Sequence, residues 1–413
     1  MTRISSTARP LAKRAAPRSA YIHIPFCRRR CYYCDFPISV LGAETDASTS
    51  PWVEEYVQTL CAEIAATPAL ESLSTVFFGG GTPSLLSASQ LQRILVTVER
   101  RLKIASDAEI SIEMDPGTFS LQQLQEYKAA GINRISLGIQ AFQDELLAAC
   151  GRSHSQRDIF TAIDLIHQVE IPNFSLDLIS GLPQQTLAQW QHSLTTAIAI
   201  APQHISCYDL VLEPTTAFGR RYQAGNLLLP EDDLTAQMYR LAQQMLVEAG
   251  YEHYEISNYA QPGYQCRHNR VYWENKPYYG FGMGATSYVN QQRMSRPRTR
   301  REYYVWVQQL ASNGSRAEDD SDTDELLETL MLGLRLADGI SLSRIEQQFG
   351  QKTVEQIWTC LQPFLHQGLV EAVEQPSSLK ETHTPIAERV RLSDPEGFLL
   401  SNTVLAALFK QLD

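Results

Sequence analysis

The chain has 413 residues, 44% of them hydrophobic and 20% charged, and a formal net charge of -11. That length supports two or three domains with a sizeable core, and no window approaches the roughly 18 uninterrupted apolar residues of a membrane span. Removing the five positive charges of the first twenty residues (Arg3, Arg9, Lys13, Arg14, Arg18) leaves a body of net -16, which argues against nucleic acid as a partner.

In chain order, residues 1–20 read as a disordered basic arm. The arm lacks a secretory apolar core, although its Arg, Ser and Ala content has the look of an organelle transit peptide. From Tyr21 to about residue 215, short runs rich in β-branched and aromatic residues alternate with helical patterns. The candidate strands are "YIHIPF", "STVFFGG", "EISIEMDP", "RISLGIQ", "NFSLDLIS" and "HISCYDLVL". Six strand-then-helix units predict an α/β fold built on an incomplete barrel or strongly curved parallel sheet. Among the helices, "SQLQRILVTVERRL" puts Leu91, Ile94, Leu95, Val98 and Leu102 on one stripe, and "LQQLQEYKAAG" ends at Gly131, a good C′ residue. In "WVEEYVQTLCAEIA" one face carries Trp52, Val53, Tyr56, Val57, Leu60, Cys61 and Ile64.

Residues 216–320 break this rhythm with Tyr-rich segments and an arginine-rich loop, and are expected to form an α+β accessory region. Residues 321–413 read as helix, helix, helix, hairpin and a last helix, the order of a winged-helix-like domain. Its stretch 318–413 holds 17 acids against 7 Lys plus Arg, so a phosphate backbone would be repelled. A capping box is expected at Ser343 to Glu346, with Gly350 closing the helix.

Chemistry is expected where the strands end. After the first strand, "CRRRCYYCDF" sets Cys27, Cys31 and Cys34 in a C-x3-C-x2-C spacing. Three thiolates from one loop suit a polynuclear metal centre. Structural zinc is closed and four-coordinate, and no second CxxC pair or nearby CxxH completes such a set; a 4Fe-4S cluster on three cysteines keeps one iron open. Arg28, Arg29 and Arg30 either favour the thiolates and offset cluster charge or keep an exposed loop soluble. The other five cysteines are scattered, as in a reducing cytosol, and a cytoplasmic location is expected. Further strand ends carry Gly79, Gly80 and Gly81, which let backbone approach a ligand, and Glu113, suited to a ligand amino group or to plain solvation.

The run "YIHIPFCRRRCYYCDF" resembles the radical S-adenosylmethionine superfamily, and within it the oxygen-independent coproporphyrinogen III oxidase-like subfamily that includes the HemW heme chaperones. The resemblance extends from Tyr21 nearly to the C terminus. It implies a partial (β/α)6 barrel holding a 4Fe-4S cluster on the three cysteines, with S-adenosylmethionine on the open iron. The implied contacts to that cofactor are Tyr21, Gly80, Gly81, Thr82, Glu113, Gln140, Arg152 and Asp177; His23 is left without a role.

Three features separate the branches of the subfamily. The oxidase pattern continues to a fourth cysteine two residues after the third, where this chain has Phe36, and the oxidase carries an ordered segment before its first strand, where this chain has about twenty low-complexity residues. The segment "CRHNRVYW" fits the HNxxYW pattern of the chaperone branch and puts His268 forward as a heme-associated residue. Arg293, Arg296, Arg298, Arg300 and Arg301 are either propionate partners or a solvated loop. The resemblance therefore implies a heme chaperone delivering heme to apo-haemoproteins, respiratory ones among them, with oxygen-independent coproporphyrinogen III dehydrogenase as the alternative. It leaves enzymatic activity and homodimerisation open, and a plain iron-sulfur electron carrier is the third reading.

Overall fold

The structure is a computed structural model that describes residues 15–42, 46–68, 71–222, 228–313, 325–373 and 387–412. Residues 1–14 of the expected arm lie outside it. Six strands appear in the expected order: β1 (Ser19–Ile24), β2 (Leu73–Gly80), β3 (Ile104–Met114), β4 (Arg134–Gln140), β5 (Phe174–Ser180) and β6 (His204–Asp209). Each pairs in parallel with the next. The long helices between them include α1 (Pro51–Ala66), α2 (Ala88–Leu102), α3 (Leu121–Ala129), α4 (Gln156–Val169) and α5 (Leu187–Ile200).

Local signals set these boundaries. Capping boxes at Ser87/Gln90, Ser155/Asp158 and Thr186/Gln189 start α2, α4 and α5, and Gly131, at φ +111°, follows the end of α3. The predicted stripe Leu91, Ile94, Leu95, Val98 and Leu102 is buried against the sheet. On α1 one member of the predicted face fails: Trp52 is 51% exposed, and the Arg300 guanidinium lies over its ring at 4.5 Å from the centroid. At the first turn an indole can stay at the edge of the core and take a cation on its face.

The sheet is larger than six strands. Two strands, β7 (Glu252–Glu255) and β8 (Asn258–Ala260), add antiparallel beyond β6, and β9 (Tyr279–Phe281) adds parallel beside β1. The order is β9-β1-β2-β3-β4-β5-β6-β8-β7, so the segment after residue 216 extends both edges of one curved sheet. Along β4, Ile135, Leu137 and Ile139 pack outward under the helices while Arg134, Ser136, Gly138 and Gln140 line the lumen. A polar lumen departs from the filled apolar core of a closed barrel, and it leaves room for a ligand.

A second apolar cluster forms between residues 325 and 412. Helices Glu325–Gly333, Leu342–Phe349 and Gln351–His366 precede antiparallel strands Val370–Val373 and Arg389–Leu392 and a last helix, Ser401–Leu412. A two-residue strand, Ile340–Ser341, joins them. The cap is Ser341, whose Oγ accepts from Arg344 N–H at 3.3 Å, two residues before the box expected at Ser343. The short strand pulls the helix start forward, because Ser341 both ends the strand and caps the helix.

Candidate functional site

All twelve residues singled out from the sequence line one cavity of about 750 Å³: Tyr21, Cys27, Cys31, Cys34, Gly80, Gly81, Thr82, Glu113, Gln140, Arg152, Asp177 and His268. The cysteine loop leaves β1 through Phe26–Cys27, which pairs with Ser39–Val40 and so folds the loop over the strand ends. Arg30 closes the loop, its Nη1 donating to the Cys34 and Phe36 carbonyls at 3.1 and 3.2 Å. Arg28 reaches the Gly117 carbonyl at 3.0 Å. The arginine triplet thus braces the loop, a role neither sequence-based alternative contained.

Two of the sulfurs receive hydrogen bonds. Thr82 Oγ1 lies 3.6 Å from Cys27 Sγ and shares its single proton between that sulfur and Asp115, and Arg152 Nη1 donates to Cys31 Sγ at 3.4 Å. Burial pushes the Cys27 thiol up to about 12, with Thr82 opposing and Asp115, Cys34 and Cys31 adding to the rise. Burial also raises Cys34. Such thiols have no use for their charge until a cation arrives. Among the described residues no group of three His, Cys, Asp or Glu is arranged about a single ion; the thiols instead line the cavity wall beside a guanidinium whose Nε is buried without a partner. Three thiols from one loop, two of them with donors aimed at their sulfurs, fit a thiolate-held cluster.

The glycines are required by space. At Gly81 an added Cβ would lie 2.7 Å from the Phe26 carbonyl oxygen and 3.0 Å from Cys27 Sγ, and at Gly80, where φ is +114°, it would meet the His23 ring at 2.4 Å. Gly80 N–H donates to Glu113 Oε2 at 2.9 Å. Burial pushes the Glu113 carboxyl up to about 8, the Gly80 bond opposing and Asp177 and Asp115 adding to the rise.

His23 now has a role. Its Nε2–H donates to the Pro37 carbonyl at 2.9 Å, so Nδ1 accepts from Tyr21 Oη–H at 3.0 Å. The pair ties the first strand to the chain beyond the cysteines. Burial brings the imidazole down to about 4, so it is neutral. Gln140 follows a register shift between β4 and β5 and has φ +66°, uncommon for a side chain larger than glycine. Asp177 accepts from Ser136, Ser206 and Ser175 at 2.7, 2.8 and 3.2 Å.

His268 is 1% exposed, stacks on Phe77 at 5.1 Å, and has both ring nitrogens engaged: Nδ1 with Thr75 Oγ1 and Nε2 with the Tyr272 hydroxyl, each at 2.8 Å. Burial brings it down to about 3. It belongs to α6 (Arg267–Trp273), whose first amides, of Arg267 and His268, both donate to the Glu109 carboxylate at 3.1 Å. The arginine-rich loop is spent elsewhere. Arg293 pairs with Glu328 at 2.8 Å, buried Arg296 with Glu63 at 2.8 Å, and neither lines the cavity.

Sequence reasoning missed Asp115. It pairs with Arg152 and accepts from Thr82 Oγ1 at 3.0 Å, linking the glycine-rich turn to the guanidinium. The available signal was its place in "EMDPG", a second acid at the same strand end.

The comparisons agree with this geometry. The Radical SAM superfamily model matches residues 21–197 and the HemN C-terminal domain model residues 320–375. Fold and site therefore define a radical S-adenosylmethionine class of protein. The heme chaperone HemW of Synechocystis sp. is 51% identical over 96% of this chain and 97% of its own. That of Bacillus subtilis is 35% identical over 96% and 100%, and that of Escherichia coli 42% over 65% and 69%. The chain belongs to the HemW family of heme chaperones. The solved coproporphyrinogen III oxidase HemN of Escherichia coli shares the fold, with a TM-score of 0.77 over 95% of this chain and 90% of that one, at 24% identity.

Proposed function

We propose that this protein is a cytoplasmic heme chaperone that binds a 4Fe-4S cluster and S-adenosylmethionine and delivers heme to apo-haemoproteins, respiratory ones among them. The observation that carries the choice over a porphyrinogen-decarboxylating enzyme is Phe36. It stands where the oxidase pattern has a fourth cysteine, and it is 60% exposed at the cavity rim with Val211, 62% exposed. An exposed apolar rim suits a flat apolar cargo that must leave again. The full-length likeness to heme chaperones supports the same reading.

Cys27, Cys31 and Cys34 would hold the cluster, and Tyr21, Gly80, Gly81, Thr82, Glu113, Gln140, Arg152 and Asp177 would hold S-adenosylmethionine. When bound, the pair supplies one-electron reductive chemistry. The protein's own residues position and neutralise: Arg152 donates to Cys31 Sγ, and protonated Glu113 keeps a second negative charge away from Asp115 and Asp177. His268 enters as the heme-associated residue; ligation through Nε2 requires Tyr272 to give up its bond. The three bodies would be the barrel at 21–215, the accessory region at 216–320 and the winged-helix-like domain at 321–413.

The test is a heme titration of the anaerobically reconstituted protein beside a coproporphyrinogen III product assay with S-adenosylmethionine and reductant. Stoichiometric heme binding without decarboxylation supports the chaperone; efficient decarboxylation overturns it. Loss of the Soret shift in His268→Ala supports the ligand assignment, and an unchanged shift removes it. Arg152→Ala and Asp177→Ala should each weaken S-adenosylmethionine binding by equilibrium dialysis, whereas an electron carrier would show no such binding.

A further inference from the structure

Beneath the residues assigned above, the lumen ends in a second polar layer. Alternation along β4 places Gln140 near the cysteine loop and Arg134 at the opposite, closed end. Arg134 is 2% exposed, yet it lines the cavity. Its Nε has no hydrogen-bond partner, and among the described residues it forms no ion pair. Ser111, its register partner on β3, has an Oγ that is likewise buried without a partner.

The charged and titratable groups that face Arg134 are already committed. Glu109 accepts the two α6 amides, and Asp177 accepts three serine hydroxyls. His204 uses Nδ1 with Ser175 Oγ at 2.8 Å and Nε2 with the Tyr254 hydroxyl at 2.9 Å, and His268 is held by Thr75 and Tyr272. Cys266 Sγ points to Glu109 at 3.7 Å. A guanidinium taken from water with donors unspent is a costly element of a fold. The arrangement makes sense when a ligand brings the missing acceptor, and a carboxylate meets the planar donor fork with two parallel bonds.

We propose that the closed end of the lumen is a carboxylate-binding subsite, with Arg134 as its anchor. It rests on the reading that the lumen takes heme, and the occupant is a heme propionate; the amino-acid end of S-adenosylmethionine belongs at the cysteine loop, the other end of the lumen.

The test uses the full-length protein and its Arg134→Gln and Arg134→Lys variants, titrated with heme, with heme dimethyl ester and with S-adenosylmethionine, beside thermal unfolding. Arg134→Gln should lower heme affinity at least about tenfold, leave the ester unaffected and raise the melting temperature, and Arg134→Lys should recover part of the loss. A selective loss of S-adenosylmethionine binding overturns the proposal, because it would place Arg134 in the cofactor's own site. Should the wild type bind no heme, the chaperone reading and the subsite fail together. Unchanged heme affinity in Arg134→Gln, with the wild type binding heme, overturns the subsite alone. So does an equal loss of acid and ester with a lowered melting temperature, which would make Arg134 a counter-charge for Glu109 and Asp177.

Discussion

Gly81 shows how little room the site leaves around its sulfurs. A methyl group there must displace the Phe26 carbonyl or the Cys27 sulfur, and backbone gives way less readily than a long side chain. Gly81→Ala should cost about 1–3 kcal/mol in urea unfolding and lower the iron and sulfide bound after reconstitution. Glu113 carries the clearest pH dependence. Its folded pKa, about 8, lies above the unfolded value, so the folded state holds the proton more tightly. The stability it contributes is complete below the unfolded pKa of roughly 4.3 and is lost as pH rises through 8. Glu113→Gln keeps the polar contact without titrating. Its melting temperature should exceed that of the wild type at pH 9 and approach it at pH 4; equal curves at both ends would refute the assignment.

Residue by residue, the cysteines, the glycine turn and the strand-end Glu113 were legible from their type and spacing, and the rest of the lining from the resemblance to a known family. Asp115, Arg134 and the three serines around Asp177 were not. Most of their partners come from other elements, 37 and 41 positions away for the Asp115–Arg152 and Ser136–Asp177 contacts. A serine in a strand says nothing about the carboxylate it will meet.

At the scale of elements, β4 could be read almost letter for letter: "RISLGIQ" alternates, and its polar half faces the lumen. α1 could not. Its Glu63 is fully buried, pairs with Arg296 at 2.8 Å, and accepts from Tyr303 Oη–H at 2.7 Å and Gly282 N–H at 2.9 Å. One carboxylate therefore fixes the barrel helix to the turn after β9 and to the helix Arg300–Asn313. Glu63→Ala strands a buried guanidinium and should cost about 3–5 kcal/mol by chemical denaturation. A loss under 1 kcal/mol would mean that water reaches Arg296.

Across the whole molecule, the C-terminal cluster meets the barrel side through the helix Asp232–Glu248. Tyr239 packs into that cluster and donates to the Ile256 carbonyl at 2.9 Å, and the exposed Arg240 pairs with Glu396 at 2.6 Å. The two contacts should differ in weight. Tyr239→Ala should cost about 3 kcal/mol by chemical denaturation, whereas a double-mutant cycle on Arg240 and Glu396 should give less than about 1 kcal/mol, since water screens both partners.

The sequence by itself determined the six strands, their order and the cysteine loop, because short-range periodicity and residue chemistry are local properties, and the remaining lining residues were named through the resemblance to a known family. Only the tertiary structure decided that residues 252–281 complete both edges of the barrel sheet, that His268 is held at both nitrogens, and that Arg134 lies buried at the closed end. Strand pairing and the burial of a charge are settled by which distant segments come together, and that is a property of the folded chain.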